Sequence, residues 1–285
     1  MILITWNIQY GKGTDGRIDF PRIVETTRKL GDADVICFQE LAVNFPDLDN
    51  GAGSDQPAII AGLLPGYTPI FRSALDFGAR GAKRQCFGNM ILSRLPVLQV
   101  LPYLLPRPAE AGVRSMQRLA LETVVEAPFG PLRVVTTHLE FYSEMHRLAQ
   151  VDAVRALHAE AARRAAMPGA MAIGGHAGLY RPMPRPATAL VCGDFNFEPG
   201  WPEYDRLLAP FPAGVPAFGD AWSLRHPGKP HPPTAGIYDA DQWPKGPNCR
   251  DFVFLTGDLV ERLRRVEVDV KTDASDHQPV LVELG

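Results

Sequence analysis

The chain has 285 residues, 46% of them hydrophobic and 21% charged, with a formal net charge of −3. That is enough apolar material for a sizeable core, and the balance lacks the basic excess of a non-specific nucleic-acid binder. No apolar stretch approaches the ~20 residues of a membrane span, and no basic-then-apolar leader is visible, so the sequence predicts a cytoplasmic protein.

Four cysteines are widely spaced without a C-x-x-C pair, which removes the usual zinc spacing. Cys37 and Cys192 lie in apolar runs, where a reduced buried thiol is expected. Neither an internal repeat nor a stretch of linker composition divides the chain, and residues 1–285 read as one domain. The 27 prolines and 26 glycines point to many ordered connections between short elements.

In chain order, Ile2–Ile8 reads as a buried strand that carries Trp6 and Asn7 to its end, followed by a glycine-rich loop over Gly11–Gly16. Asp19 can cap a helix with Pro21 in its first turn and Ile23, Val24, Thr27 and Leu30 on one face; Gly31 stops it. Asp34–Phe38 is expected to be the next strand, delivering Gln39 and Glu40 at its end. Residues 41–70 read as irregular, apart from a short helix near Pro57–Leu64. Arg80–Arg84 is a small basic loop, read as solvated, ahead of a strand through Gly88–Arg94.

Leu119–Glu126 and Leu132–Thr137 are predicted to pair as an antiparallel hairpin across Pro128–Pro131, and its second strand leads into His138, Leu139 and Glu140. Arg118, just before the hairpin, fits either a surface position or a phosphate contact. A long helix should follow, burying Leu148, Val151, Val154, Leu157 and Ala161 and ending at Pro168-Gly169. Residues 167–186 then read as a long loop, and 210–248 as a second one, whose His226 and His231 are expected in solvent.

Between these loops, Ala189–Cys192 is strand-like and Gly193 permits a sharp turn. Asp194 and Asn196 sit two apart, so both can leave an extended strand end on one face while Phe195 anchors the other. Asp251–Leu255 is a further strand, Glu261–Arg265 a basic helix or turn, and Ser275–Gln278 precedes a terminal strand at Pro279–Glu283.

Polar residues thus recur at six strand ends or starts: Asn7, Glu40, His138, Asp194 with Asn196, Asp251, and Asp276 with His277. Gly-Asp-Phe-Asn alone is compatible with an ordinary turn, because Asp and Asn are common there. The repetition is what argues for a polar site, and acid and amide groups gathered this way suit a hard cation or a phosphate.

In their order along residues 6–277, Trp6-Asn7, Gln39-Glu40, Gly88–Ser93, Thr137–Leu139, Gly193–Asn196 and Ser275–His277 resemble the motifs of the endonuclease/exonuclease/phosphatase superfamily of metal-dependent phosphohydrolases. The resemblance implies an α/β fold, a four-layer α/β/β/α sandwich of two mixed sheets packed face to face with helices outside. It implies Mg²⁺ or Mn²⁺ held by Asn7, Glu40 and Asp276, and oxygen donors suit those ions. Asp194 and Asn196 resemble the pair that orients and deprotonates the attacking water. His277 would contact the phosphate with Asp251 on its other ring nitrogen, and His138 would donate to a non-bridging oxygen.

The chain also departs from particular branches. Gln9 stands where apurinic-site endonucleases commonly have Asp, and Thr137-His138-Leu139 replaces their Tyr-containing element. Between Leu64 and Arg94 no acidic residue matches the second glutamate of the deoxyribonuclease branch. The expected activity is hydrolysis of a phosphodiester, nucleic acid or a smaller compound. The competing readings are a phosphomonoesterase and an inactive member that serves as a binding module. No obligate protein partner is evident. The loops 167–186 and 210–248, rich in Pro, Gly, His and aromatics, are expected to wall a pocket that favours a short or single-stranded substrate, or a small phosphodiester, over duplex DNA.

Overall fold

The computed structural model of the chain describes residues 1–78, 83–167, 178 and 183–285. Its elements in order are β1 (Ile2–Asn7), α1 (Phe20–Leu30), β2 (Val35–Val43), α2 (Gln56–Leu63), β3 (Thr68–Phe77), β4 (Gln85–Ser93) and β5 (Val97–Leu104). There follow β6 (Leu119–Ala127), β7 (Gly130–His138), α3 (Glu144–Ala166), β8 (Ala189–Asp194), α4 (Pro202–Leu208) and β9 (Phe218–Asp220). The last are α5 (Ala221–Arg225), β10 (Asp251–Thr256), β11 (Leu263–Val268) and β12 (Val280–Leu284).

The strands form two six-stranded sheets, one in the order β11-β12-β1-β2-β4-β3 and the other β5-β6-β7-β8-β10-β9. Each is mixed: β1 and β2 run parallel in the first, β7 and β8 in the second, while other neighbours are antiparallel. Because strand side chains alternate, each strand serves two layers. Leu3, Val35 and Ile91 point between the sheets and meet Leu121, Leu190, Cys192 and Val253 from the other side. Ile4, Trp6, Ile36 and Phe38 point outward against Ile23 and Val24 of α1 and Ile60 of α2. Val135, Val191 and Phe254 do the same beneath Val151 and Val154 of α3 and Leu207 of α4. The result is the four-layer sandwich.

Local chemistry starts the helices where the sequence places them. Asp19 Oδ1 accepts from the Arg22 amide at 2.9 Å, and Ser143 Oγ accepts from the His146 amide at 3.1 Å. Each such cap contributes about 1 kcal/mol.

Several expectations need correction. β2 continues to Val43, passing Gln39 and Glu40 in a bulge: Phe38 pairs with Met90 and Leu41 with Gly88, so two residues oppose Asn89 alone. The hairpin turn is tighter than expected, with Ala127 paired to Gly130 across Pro128-Phe129. Gly193 lies within β8 rather than after it. Glu261–Arg265 is a short 3₁₀ segment, Gly257–Arg262, leading into β11.

His226 and His231 are half-buried rather than exposed. His226 Nε2 bonds the Val266 carbonyl at 3.1 Å, and His231 pairs with the buried Asp220. Leu148 and Leu157 are also only half-buried. Of the basic loop, Arg84 is ion-paired with Asp76 at 2.8 Å; Arg80–Ala82, Pro168-Gly169 and most of 167–186 lie outside the described residues.

Candidate active site

Three neighbouring strands of the second sheet bring polar residues into one row: His138 of β7 is opposite Asp194 of β8, which is opposite Asp251 of β10. The first sheet faces them with Asn7 at the end of β1 and Glu40 in the β2 bulge, where Glu40 takes φ of 64°. The bulge re-aims the carboxylate, which a regular strand would have sent to the alternate face. Asp276 and His277 arrive from the segment before β12. Gly193 makes the row possible: at φ 131° its Cα approaches β7 so closely that a Cβ would lie 2.0 Å from the Thr137 carbonyl oxygen.

These side chains converge on a cleft of about 470 Å³ lined by Glu40, Arg118, His138, Asp194, Asp276 and His277, among others. Asn7 spans the two sheets, its Nδ2 donating to Glu40 Oε1 at 3.1 Å and to Asp194 Oδ2 at 3.0 Å. Its Oδ1 accepts from the Gln9 amide at 3.1 Å, so in this orientation Asn7 faces the carboxylates as a donor. The Asn196 backbone amide holds Asp194 Oδ1 at 2.9 Å, and Asn196 Nδ2 is spent on the Leu139 carbonyl at 2.9 Å. That leaves Asp194 Oδ2 toward the cleft, 3.5 Å from His138 Nε2 and 3.7 Å from His277 Nε2. Asp251 sits behind His277, with Oδ2 2.8 Å from Nδ1.

Sequence reasoning did not single out Gln242 and Trp243, which donate to Asp276 Oδ2 at 2.7 and 3.1 Å. The only sequence signal for them was their place in 210–248, which is not one long loop: it contains β9 and α5, and only its later part reaches the cleft, through Gln242 and Trp243. Arg118 is no surface arginine: it is 5% exposed, with Nε 3.6 Å from Glu140 Oε2. Its Nε and Nη1 have no hydrogen-bond partner among the described residues. Glu140 is buried too, and its place just past the strand end carries no sequence signal of that.

The electrostatics divide the cleft. Burial opposes the charge on Glu40, the neighbouring Asp276 and Asp194 add to the effect, and its carboxyl is pushed up to about 7. Burial would lower His277, but Asp251, Asp276 and Asp194 outweigh it and hold the imidazole well above its ordinary range. Burial also opposes ionisation of Asp194, yet the His277 charge and the Asn7 and Asn196 donors keep its carboxyl below the usual value. His138 goes the other way, down to about 3, through burial and the Arg118 charge. It is therefore a neutral imidazole at pH 7, and its approaches to Glu40 and Asp194 are not ion pairs.

Asp194, Asp251 and His277 form a buried group whose donor atoms lie within 4.8 Å of one another. An imidazolium already bonded to Asp251 has no lone pair for a metal. Glu40 and Asp276 stand on the other side, where mutual repulsion raises Glu40 and oxygen donors fit a hard divalent cation.

A two-sheet sandwich with acids, an amide and histidines gathered where its strands end has the architecture of a phosphoester hydrolase. The chain belongs to the Endonuclease/Exonuclease/phosphatase family, whose sequence model matches residues 4–277. Solved structures share the fold. An endonuclease/exonuclease/phosphatase from Bacteroides vulgatus has 17% identity and a TM-score of 0.67, covering 100% of this chain and 98% of that one. A mannosyl-6-phosphatase from Bacteroides thetaiotaomicron has 16% identity and a TM-score of 0.64, with coverage of 100% and 99%. A 3′ phosphatase from Neisseria, bound to a product DNA hairpin, has 18% identity and a TM-score of 0.61, with coverage of 100% and 99%. No curated protein matches the sequence. Among the described residues, no helix is long and apolar enough to cross a membrane.

Proposed function

We propose that residues 1–285 act as one catalytic domain that hydrolyses a phosphodiester with the help of Mg²⁺ or Mn²⁺. The observation that carries this reading is the pairing of a charge-starved acid with a charged histidine across one cleft. Glu40, pushed up to about 7 by burial and by its acidic neighbours, calls for a cation, and His277 is held protonated 3.7 Å from Asp194.

Glu40 and Asp276 would hold the metal, joined by Asn7 if its amide turns its oxygen inward. The bound cation would screen the phosphate charge and polarise the scissile group. Asp194 Oδ2 is the base that accepts the proton of the attacking water, and Asn196 keeps that carboxylate aimed through its backbone amide. His277 donates to a non-bridging phosphate oxygen, with Asp251 fixing its tautomer and charge. His138 supplies a neutral donor to a second oxygen, whose negative charge grows toward the transition state. Arg118, paired with Glu140 on one side, supplies a buried guanidinium with two nitrogens left to donate.

A phosphomonoester is the second reading. Arg118, with two unpartnered nitrogens, and the protonated His277 together match a dianion better than a monoanion. The test is an assay of chelator-treated protein against phosphomonoesters, small phosphodiesters, lipids, and single-stranded and duplex nucleic acid. Turnover that returns with Mg²⁺ or Mn²⁺ supports the proposal. Absence of metal-restored turnover across the panel overturns it and favours a binding module.

A further inference from the structure

Beside the cleft, two aromatic rings stand in water on a backbone that is held unusually firmly. Phe141 and Tyr142 are 42% and 55% exposed. Yet both of their amides donate to Glu140 Oε1 at 3.0 Å, and Glu140 is fully buried. The Phe141 carbonyl accepts from Arg147 Nη1 at 2.9 Å, and Arg147 is itself paired with the buried Glu203 at 2.7 Å. Buried charges are expensive, and here they fix a loop whose two large side chains stay about half in solvent.

The rings continue to the reacting groups. Phe141 packs edge-on against Tyr142 at 4.9 Å and against Trp243 at 5.8 Å. Trp243 lies 5.5 Å from the His277 ring and bonds Asp276 through Nε1 at 3.1 Å. A second hollow of about 590 Å³ opens on the far side of Phe141, Tyr142 and Trp243. Arg114 stands 5.6 Å from the Tyr142 ring. Glu140 is held by backbone amides, and Glu198 Oε1 meets Arg250 at 3.2 Å. Ring faces dominate the shelf, with the Arg114 guanidinium beside them.

Resting on the phosphoester reading above, we propose that this shelf is a nucleobase subsite, so that the substrate is a nucleotide or single-stranded nucleic acid whose base next to the reacting phosphate is unpaired. An unpaired base offers two open faces, one for Phe141 or Tyr142 and one for a guanidinium, and a base within a duplex offers none.

Isothermal titration with thymidine 5′-monophosphate, 2-deoxyribose 5-phosphate and a hexose 6-phosphate separates the base from the phosphate. Thymidine 5′-monophosphate should bind at least about tenfold tighter than 2-deoxyribose 5-phosphate, the span expected for one stacked base. The Phe141→Ala, Tyr142→Ala double variant, which keeps both backbone amides, should erase that preference. Equal affinities, including no measurable binding of either ligand, overturn the subsite, as does a preference for the hexose phosphate or one that survives in the variant. The base preference needs no hydrolysis. If it appears without metal-restored turnover, the subsite stands and the catalytic reading fails; turnover without the preference has the opposite meaning.

Discussion

Asp251 Oδ2 approaches His277 Nδ1 to 2.8 Å, with both side chains buried and the other ring nitrogen turned to Asp194. The carboxylate fixes which nitrogen faces the cleft and stabilises the charged ring, so the two residues should behave as one device. Asp251→Asn is expected to lower kcat by about a hundredfold or more, since a positioned donor contributes on that scale. His277→Ala should cost as much or more, and the double variant little beyond the worse single one. Steady-state rates of the three variants decide it; independent, multiplicative losses would show that the pair does not act together.

Glu40 tests the cation side. Replacing it with Gln keeps its volume and removes the charge that burial and Asp276 oppose. Metal-free Glu40→Gln should therefore unfold at a urea concentration no lower than wild type, while turnover at saturating Mg²⁺ falls at least about a hundredfold. A cation that binds only the folded state stabilises it by about 2.7 kcal/mol at a hundred times its dissociation constant. Mg²⁺ should accordingly raise the melting temperature of the wild type and leave the variant unmoved. A Mg²⁺ shift of equal size in both would remove Glu40 from the ligand set.

The sequence showed the interior of this fold far better than its borders. The strands absent from the reading, β3, β5, β9 and β11, are the four edges of the two sheets. Edge strands bury less: charged residues interrupt β3 and β11, β9 is three residues long, and β3 and β5 contain Pro69 and Pro102, which a central strand excludes.

The meeting of polar side chains was legible where they end or precede apolar strands, as with Asp194 and His277. It was hidden where position alone matters. Arg118 preceded a strand like any surface arginine, and Trp243 sat in a loop whose only signal was composition. The role of Gly193 as a close approach rather than a turn depends on the neighbouring strand, which no local pattern reports.

That close approach yields a third expectation. Gly193→Ala places a methyl 2.0 Å from the Thr137 oxygen at φ 131°, and the obstacle is backbone, which cannot swing aside. The variant should lose about 3 kcal/mol or more, and β7 and β8 should separate at the end that carries His138 and Asp194. Urea unfolding and the residual rate measure the two effects. A variant as stable as wild type would mean that the strands pair less closely here than the geometry indicates.

Salt tests the enclosed character of the cleft. Duplex binding draws on many phosphate contacts and weakens steeply with ionic strength, by orders of magnitude between 50 and 200 mM salt for a protein with about six to ten such contacts. The walls here include Phe141, Tyr142 and Trp243, with Arg114, Arg118 and the charged His277 as cations lining the cleft. Hydrolysis of a short single strand should therefore change only a few-fold over that range. Efficient cleavage of long duplex DNA with a steep salt slope would contradict the expectation.

His158 provides a stability test away from the cleft. It is 1% exposed, with its Nδ1 3.0 Å from Arg133 Nη2 and its Nε2 2.8 Å from the Pro216 carbonyl oxygen, and so ties α3 to the loop before β9. Burial lowers its pKa to about 4; the Pro216 carbonyl opposes the shift, and the charges of Arg133 and Arg155 add to it. The unfolded chain takes up this proton near pH 6.5, whereas the folded chain resists until about 4, so the unfolded state binds more protons throughout that window. Stability contributed by the neutral ring is therefore full above pH 6.5 and is lost as the pH falls toward 4, by up to about 3 kcal/mol. His158→Gln can keep one acceptor and one donor without titrating. Between pH 7.5 and 4.5 the wild type should lose about 2 kcal/mol more unfolding free energy than this variant, read from urea curves at each pH. Equal losses in the two proteins would mean that His158 takes up its proton without strain in the folded state, and that the acid sensitivity of the fold lies elsewhere.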